Sequence, residues 1–324
     1  MSVFKVCAIV AVFNLILGLL ESSGVFRLPT SPYSQYVSLF GRTPSDLSSL
    51  SDFAVSVVDR KPTGLNWNPN NFGFFVVLCY PFFLFKSRAY AILSTIAFIW
   101  LAFAIASKGM FVSGLIALAL VSFYQNRGAV TALSTWFLIL GLAGLFFVFA
   151  NDLQDIYGAN RVLSSFSEIS KGLDFIAAGG TSETGSTAVR ANIYYSVWQA
   201  FVSTFGFGLG IGGSEAYLMQ FGHKINSLHF FVLQLLYEFG FVIFFIIMAA
   251  YFRLAYVVYD SSKLAASHQQ KYIAKSISLS LICAVPASIS PSGVHYILPF
   301  YILIGLAIGV VRVIRDSQKE MEGL

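Results

Sequence analysis

Long runs of apolar residues, separated by shorter polar segments, dominate this chain. A helix that crosses a membrane needs about 20 mostly apolar residues, with a range of roughly 17–25. Eight runs meet or approach that length and predict an all-α, polytopic integral membrane protein with about eight transmembrane helices, near residues 3–20, 71–86, 90–106, 110–125, 130–150, 228–252, 274–291 and 294–311. No convincing small-residue cleavage site follows the first run, so we interpret it as an anchor rather than a signal peptide.

Three polar segments interrupt this pattern, at residues 21–70, 151–226 and 253–273, and there is no internal repeat. The last of them is interpreted as a basic connection. The predicted organisation has three parts: five N-terminal transmembrane helices in 1–150 with an outer loop at 21–70, a large extracytoplasmic loop with an interfacial helix in 151–227, and three C-terminal transmembrane helices with a short basic cytoplasmic tail in 228–324.

The basic residues of the short connections predict the orientation, because such residues are enriched on the cytoplasmic side. With the N-terminus and the C-terminus both cytoplasmic, all of these clusters fall on that side: Lys86, Arg88, Arg127, Arg253, Lys263, Lys271, Lys275, Arg312, Arg315 and Lys319. The two long loops then lie outside the cytoplasm.

The amino-acid composition agrees with a protein that is surrounded mainly by lipid. Of 324 residues, 57% are hydrophobic and 11% are charged, whereas a soluble domain carries about 25% charged residues. The net charge of +5 comes mostly from short connections, so it indicates orientation and not a nucleic-acid partner. Cys7, Cys79 and Cys283 lie in apolar runs without disulfide or zinc spacing, and we expect small buried side chains and no metal site.

The stretch IYYSVWQAFVSTFGFGLGIG at residues 193–212 is apolar and aromatic, then rich in glycine. We expect an amphipathic or re-entrant helix at the outer interface, with Tyr194, Tyr195 and Trp198 at the level of the headgroups. A full crossing is disfavoured, because it would place the basic segment 253–275 outside.

Polar groups near membrane level on the outer side are the candidates for chemistry, because such groups are costly there. They are Arg60, Lys61, the run GLNWNPNN at 64–71, Lys108, Arg190, Asn226, Ser227 and His229. Clustered cations suit an anionic headgroup or a diphosphate. The asparagine run has two interpretations that stay open: caps at a helix start, or amides that contact sugar or phosphate.

His229 and Glu238 also have two interpretations each. His229 is either an interfacial histidine bonded to a carbonyl or a general base near neutral pH. Glu238 is the carboxylate within the apolar run that follows, and a buried acid bonded to a neighbouring helix is the favoured interpretation. The G-x-G-x-x-G pattern at 208–213 lacks a preceding strand, so close backbone packing or a turn out of the interface is a better explanation than dinucleotide binding.

Four segments in order resemble the bacterial O-antigen ligase and polymerase family, whose members act on undecaprenyl-diphosphate-linked glycans. The segments are PTGLNWNPNNF (62–72), ASKGM (106–110), VRANIYYSVWQAFVSTFGFGLGIGG (189–213) and HFFVLQLLYEFG (229–240). The resemblance runs from about residue 10 to 310. It implies a multi-pass protein of the bacterial cytoplasmic membrane that builds surface polysaccharide.

The resemblance also implies a metal-independent, inverting glycosyl transfer without a cofactor. Arg190 and His229 would be catalytic, with His229 taking the proton of the acceptor hydroxyl. The substrate-binding residues would be Arg60, Asn68, Asn70, Lys108, Gly208 and Gly210. The implied partners are the lipid-linked glycan donor, a glycan or lipid-core acceptor and membrane lipids, with a chain-length regulator as an open question.

Three positions depart from the family pattern: Lys108 replaces an arginine, Phe230 an asparagine and Ile243 a glycine. The last two belong to the histidine motif, which is more typical of the family's ligases than of its polymerases. A polymerase is therefore favoured over a ligase. A non-catalytic polysaccharide transporter is the third alternative, although the chain lacks the repeated halves of many transporters.

Overall fold

The computed structural model describes residues 2–40, 61–66, 68–125, 186–220, 228, 230–291 and 297–322. Over these residues the chain forms α-helices and one short 3-10 helix, Val37–Phe40, and no β-strand. The α-helices are α1 (Ser2–Ser22), α2 (Pro69–Leu84), α3 (Arg88–Ile105), α4 (Lys108–Tyr124), α5 (Ser186–Ser203), α6 (Gly213–Gln220), α7 (Phe231–Leu264), α8 (His268–Ala287) and α9 (Leu298–Glu322).

Four of the described helices, α1, α3, α7 and α9, are long and apolar enough to cross a membrane. Helices α2 and α4 are also apolar but shorter. Apolar helices of this length, with no strand among the described residues, are consistent with a membrane protein, because a helix satisfies its own backbone polar groups in lipid. The run at 130–150 lies outside the described residues, and the count of eight crossings stays a prediction.

The connection between α7 and α8 is much shorter than the sequence pattern indicates. We expected a basic connection over 253–273, but α7 continues to Leu264 and α8 begins at His268. Charged residues do not end a helix, and no proline or glycine interrupts this stretch. The turn is set by Ser267 and Gln270, which form a capping box at the start of α8.

Helix α8 is the centre of the bundle and packs against α2, α4, α7 and α9. Its buried serines bond to the backbones of its neighbours: the Ser278 hydroxyl donates to Ala255 O at 2.8 Å, and the Ser280 hydroxyl to Leu78 O at 2.8 Å. Small residues of this kind let helix backbones approach closely in a membrane, where packing and interhelical hydrogen bonds drive association.

The bundle has a basic end, where α2, α4, α7 and α9 finish and α8 begins. There the Tyr272 hydroxyl donates to Phe82 O at 2.8 Å, and the Gln318 amide donates to Leu264 O at 3.2 Å. Lys275 donates to Tyr124 O at the same end. Helices α2, α4 and α7 therefore begin at the opposite end, which we call the site end.

Candidate functional site

The asparagine run forms the start of α2 at the site end. The Asn68 side chain accepts from the Asn70 backbone N–H at 2.8 Å, and Pro69 occupies the first helical position. The helix-cap interpretation is therefore confirmed. Contact of Asn68 or Asn70 with a substrate stays a prediction.

Glu21, which the sequence reasoning missed, holds the loop before α2 in place. Its side chain is fully buried at the end of α1. One carboxylate oxygen, Oε2, accepts from the backbone N–H groups of Thr63 and Gly64, each at 2.7 Å. The other, Oε1, accepts from Leu28 N at 3.1 Å. A carboxylate at the end of an apolar run has a high free-energy cost in a membrane. That cost was the signal in the sequence that could have identified Glu21.

Arg27 also takes part in this contact between Glu21 and the loop before α2. Its Nη1 lies 3.8 Å from Glu21 Oε1 and donates to Lys61 O at 2.5 Å. The guanidinium also lies 5.6 Å from the centre of the Tyr33 ring. Arg60, the cation that we predicted for this loop, lies outside the described residues, and its place in the loop stays a prediction.

The start of α4 is fastened to the end of α8 by two serines. Ser107 caps α4 by accepting from Met110 N at 3.3 Å, and its hydroxyl donates to Ser290 Oγ at 2.8 Å. Gly109 N also donates to Ser290 Oγ, at 3.2 Å. This places the half-buried Lys108 at the first position of α4.

The starts of α2 and α4 are neighbours. A Cβ added to Gly73, one turn into α2, would lie 3.5 Å from Met110 Sδ at the start of α4. The start of α7 joins them through the end of α8, because Phe231 N donates to Ser288 O at 3.4 Å. His229 itself lies outside the described residues, but in the sequence it is two residues before the first residue of this helix.

The glycine-rich segment packs directly against a break in α7. Gly240 has φ 76° and ψ 172°, which interrupts the helix and releases carbonyl groups from their helical partners. Leu209 N donates to Tyr237 O at 2.8 Å, and Gly210 N donates to Glu238 O at 3.0 Å. A Cβ on Gly208 would lie 2.5 Å from Glu238 O. Close backbone packing is therefore confirmed for Gly208, whereas a Cβ on Gly210 or Gly212 would meet nothing within 4 Å.

This contact affects the predicted substrate-binding glycines. Gly208 faces the backbone of α7, and the N–H of Gly210 is already engaged by a carbonyl. Both glycines have positive φ, at 95° and 82°, a region that side chains disfavour. Their role in binding substrate stays a prediction, while their structural role is set by α7.

Glu238 is buried at this break, with 8% of its surface exposed. Its Oε1 accepts from the Ser214 hydroxyl of α6 at 2.9 Å and from the Gln234 amide at 3.0 Å. The interpretation of a buried acid bonded to a neighbouring helix is confirmed. The sequence reasoning missed Ser214. The spacing of Gln234 and Glu238, four residues apart on one helix face, was the signal that a hydrogen-bonded group lies here.

Arg190 belongs to α5, and its side chain lies outside what the structure describes. The next turns of α5 contribute Ile193, Val197 and Phe201 to a second apolar core. That core joins α5 to α6, Leu228 and α7. The expected meeting of Arg190 with Lys108 and Arg60 stays a prediction.

Comparison with curated proteins identifies a distant relative of this chain. No family model matches the chain. It is 22% identical over 277 residues to the teichuronic acid biosynthesis protein TuaE of Bacillus subtilis (strain 168), a match that covers 81% of this chain and 54% of that protein. The chain thus spans about half the length of this curated relative. The similarity agrees with the expected class of bacterial polysaccharide proteins, without assigning the chain to a family.

Proposed function

We propose that this chain is a membrane glycosyltransferase of bacterial surface-polysaccharide biosynthesis, which polymerises lipid-linked repeat units on the outer face of the cytoplasmic membrane. One observation carries the proposal. The Asn68 segment, Lys108 and the start of α7 after His229 share the site end of the bundle, opposite the basic end.

The site end suits an anionic diphosphate. Helices α2, α4 and α7 all begin there, and a helix start carries a partial positive charge and N–H donors. Lys108 adds a cation at the start of α4. In the proposed reaction Arg190, Lys108 and Arg60 hold the diphosphate of an undecaprenyl-linked donor, and they neutralise its charge as it leaves.

The transfer forms one bond and breaks one. The oxygen of an acceptor hydroxyl bonds to the anomeric carbon of the donor sugar from the face opposite the diphosphate. The bond from that carbon to the diphosphate oxygen breaks, and the lipid diphosphate leaves with the electron pair. His229 accepts the hydroxyl proton. The cleaved linkage supplies the energy, so no nucleotide is needed.

The similarity to a teichuronic acid biosynthesis protein supports the substrate class, a bacterial polysaccharide. A ligase that transfers finished glycan to a lipid core or another acceptor is the alternative within the same chemistry. Phe230 and Ile243, the departures from the histidine motif, favour the polymerase.

The broken helix α7 bears on the transporter alternative. In many transporters the carbonyls at a helix break coordinate the substrate or a coupling ion. Here Leu209 N and Gly210 N bond the carbonyls of Tyr237 and Glu238. The carbonyls at the break are thus bonded by the glycine-rich segment of the same chain. This arrangement favours an enzyme over a transporter.

The test is electrophoresis of surface glycan from a deletion strain that carries the wild-type chain, Arg190→Ala or His229→Ala. We expect both variants to insert normally and to lose activity, since removing a general base alone costs about 10²–10⁴-fold in rate. Arg315→Ala and His268→Ala, both exposed on the basic end, are matched controls that keep activity.

The glycan ladder separates the alternatives. Glycan that stops at one repeat unit in the deletion strain and in both variants supports the polymerase. Long glycan retained on the polyprenyl carrier supports the ligase instead. A normal ladder in both variants at matched protein level overturns the proposed catalytic residues.

A further inference from the structure

The turn between α5 and α6, residues 204–212, exposes large apolar side chains. We call this turn the hairpin tip. Phe205, Phe207 and Ile211 have 91%, 83% and 85% of their surfaces exposed. No charged residue occurs between Arg190 and Glu215. Exposed apolar patches on this scale mark contact with a partner or a membrane.

The hairpin tip is fixed at the height of the break in α7. Phe241 N donates to Gly206 O at 3.0 Å, and a Cβ on Gly240 would collide with Phe207 O. Both contacts are made by backbone atoms, so they set the height of the hairpin tip along α7 independently of side-chain rotamers.

That height lies within the apolar part of α7. From Gly240 the helix runs unbroken to Arg253, its next charged residue, a distance of about 20 Å at about 1.5 Å per residue. The hydrocarbon core of a bilayer is about 30 Å thick. If Arg253 marks one edge of that core, Gly240 and the hairpin tip lie about 10 Å inside the other edge.

The hairpin tip also continues the outward surface of α7. Phe241, Val242, Phe245 and Ile246 are exposed along the helix just below the break. A Cβ on Gly206 would lie 2.6 Å from the Phe241 ring, so the hairpin tip and this face adjoin. The exposed residues of both elements form one uncharged, apolar surface.

The backbone of the hairpin tip is suited to lipid, where an unbonded polar group costs several kcal/mol. Most of its N–H groups have a carbonyl acceptor: those of Thr204, Phe205, Gly206, Phe207, Leu209 and Gly210. The hydroxyl of Thr204 also donates to Phe201 O, at 2.8 Å. Irregular backbone is tolerated at membrane depth where protein covers it, and here Gly206 and Gly208 pack against Phe241 and the backbone of α7.

We propose that α5, the hairpin tip and α6 form a re-entrant hairpin whose tip is embedded among lipid acyl chains. Hydrocarbon of the leaflet nearer the start of α7 covers Phe205, Phe207 and Ile211. We had expected residues 193–212 at the outer interface, and this assignment moves the glycine-rich part deeper. It goes beyond the proposed function and does not depend on it.

The test uses the full chain with Cys7, Cys79 and Cys283 replaced by alanine and a single new cysteine at Phe207→Cys. An environment-sensitive fluorophore is attached there, and the protein is reconstituted in phosphatidylethanolamine–phosphatidylglycerol vesicles. Quenching is measured with lipids that carry a spin label on the acyl chain. Val242→Cys, on the exposed face of α7, and Tyr36→Cys, in the loop after α1, are the controls.

We expect the label at position 207 to be quenched as strongly as the label at position 242 and several times more strongly than the label at position 36. Quenching at 207 equal to that at 36 would mean that the tip lies in water, and would overturn the assignment. Blue-shifted emission without lipid quenching would mean that protein covers the tip, and would overturn it as well.

Discussion

Glu21 and Glu238 are the two buried carboxylates among the described residues, and they are accommodated differently. Glu21 accepts from three backbone N–H groups and faces Arg27. Glu238 accepts from the neutral side chains of Ser214 and Gln234. Both join a helix to a segment that lies far from it in sequence, so both fix the site end of the bundle.

Glu21→Ala is expected to destabilise the protein by about 3 kcal/mol or more. The substitution leaves Arg27 without its carboxylate and leaves the N–H groups of Thr63 and Gly64 without an acceptor, which is the costly way to break a buried pair. Thermal unfolding in detergent measures the effect. Glu320→Ala, at an exposed position of α9, should change stability by less than about 0.5 kcal/mol. Equal melting temperatures for the two variants would contradict the role of Glu21.

At the scale of elements, the contact between the glycine-rich segment and α7 is the joint that holds the hairpin to the bundle. Helix α7 gives up helical hydrogen bonds at Gly240 and receives hydrogen bonds from Leu209 and Gly210. The two elements therefore depend on each other, because neither the break nor the turn would have its polar groups satisfied alone.

Gly208→Ala and Gly210→Ala test this joint as a matched pair. Both residues have positive φ, so alanine brings similar backbone strain at each. They differ in space: a Cβ at 208 would lie 2.5 Å from Glu238 O, whereas a Cβ at 210 has nothing within 4 Å. We expect Gly208→Ala to lower the free energy of unfolding by about 1–3 kcal/mol more than Gly210→Ala. Equal losses in detergent unfolding would show that the close contact is not needed.

At the scale of the whole molecule, charge is arranged along the bundle axis. Lys86, Lys263 and Lys275 come from three separate segments, and all lie near the basic end. Lys86 lies 5.5 Å from the Tyr272 ring of α8. Such asymmetry is the usual determinant of orientation in a membrane, and it predicts that the site end faces the outer side.

This orientation predicts the labelling of two single cysteines by a membrane-impermeant maleimide in intact cells. Ser165→Cys, in the predicted outer loop, should react directly. Ala265→Cys, in the turn between α7 and α8, should react only after the membrane is permeabilised. The reverse pattern would invert the orientation and would move the site end to the cytoplasm.

The sequence alone determined the features that depend on near neighbours in the chain. Hydropathy predicts helices because a helix in lipid forms all of its backbone hydrogen bonds within its own segment. The cap at Asn68 is equally local, because it joins positions two residues apart. The positions of helix ends were less accurate, as the extension of α7 to Leu264 shows. A stretch of helix-forming residues without glycine or proline contains no local signal that marks where the helix leaves the membrane.

Only the tertiary structure decided which distant segments meet. Glu21 and Thr63 are 42 residues apart, and Ser214 and Glu238 are 24 apart. The break at Gly240 is stable because the glycine-rich segment supplies hydrogen bonds there, and one helix alone cannot show that exchange. Contacts of this kind depend on the packing of several helices around α8, and packing is a property of the assembled bundle rather than of any single run of residues.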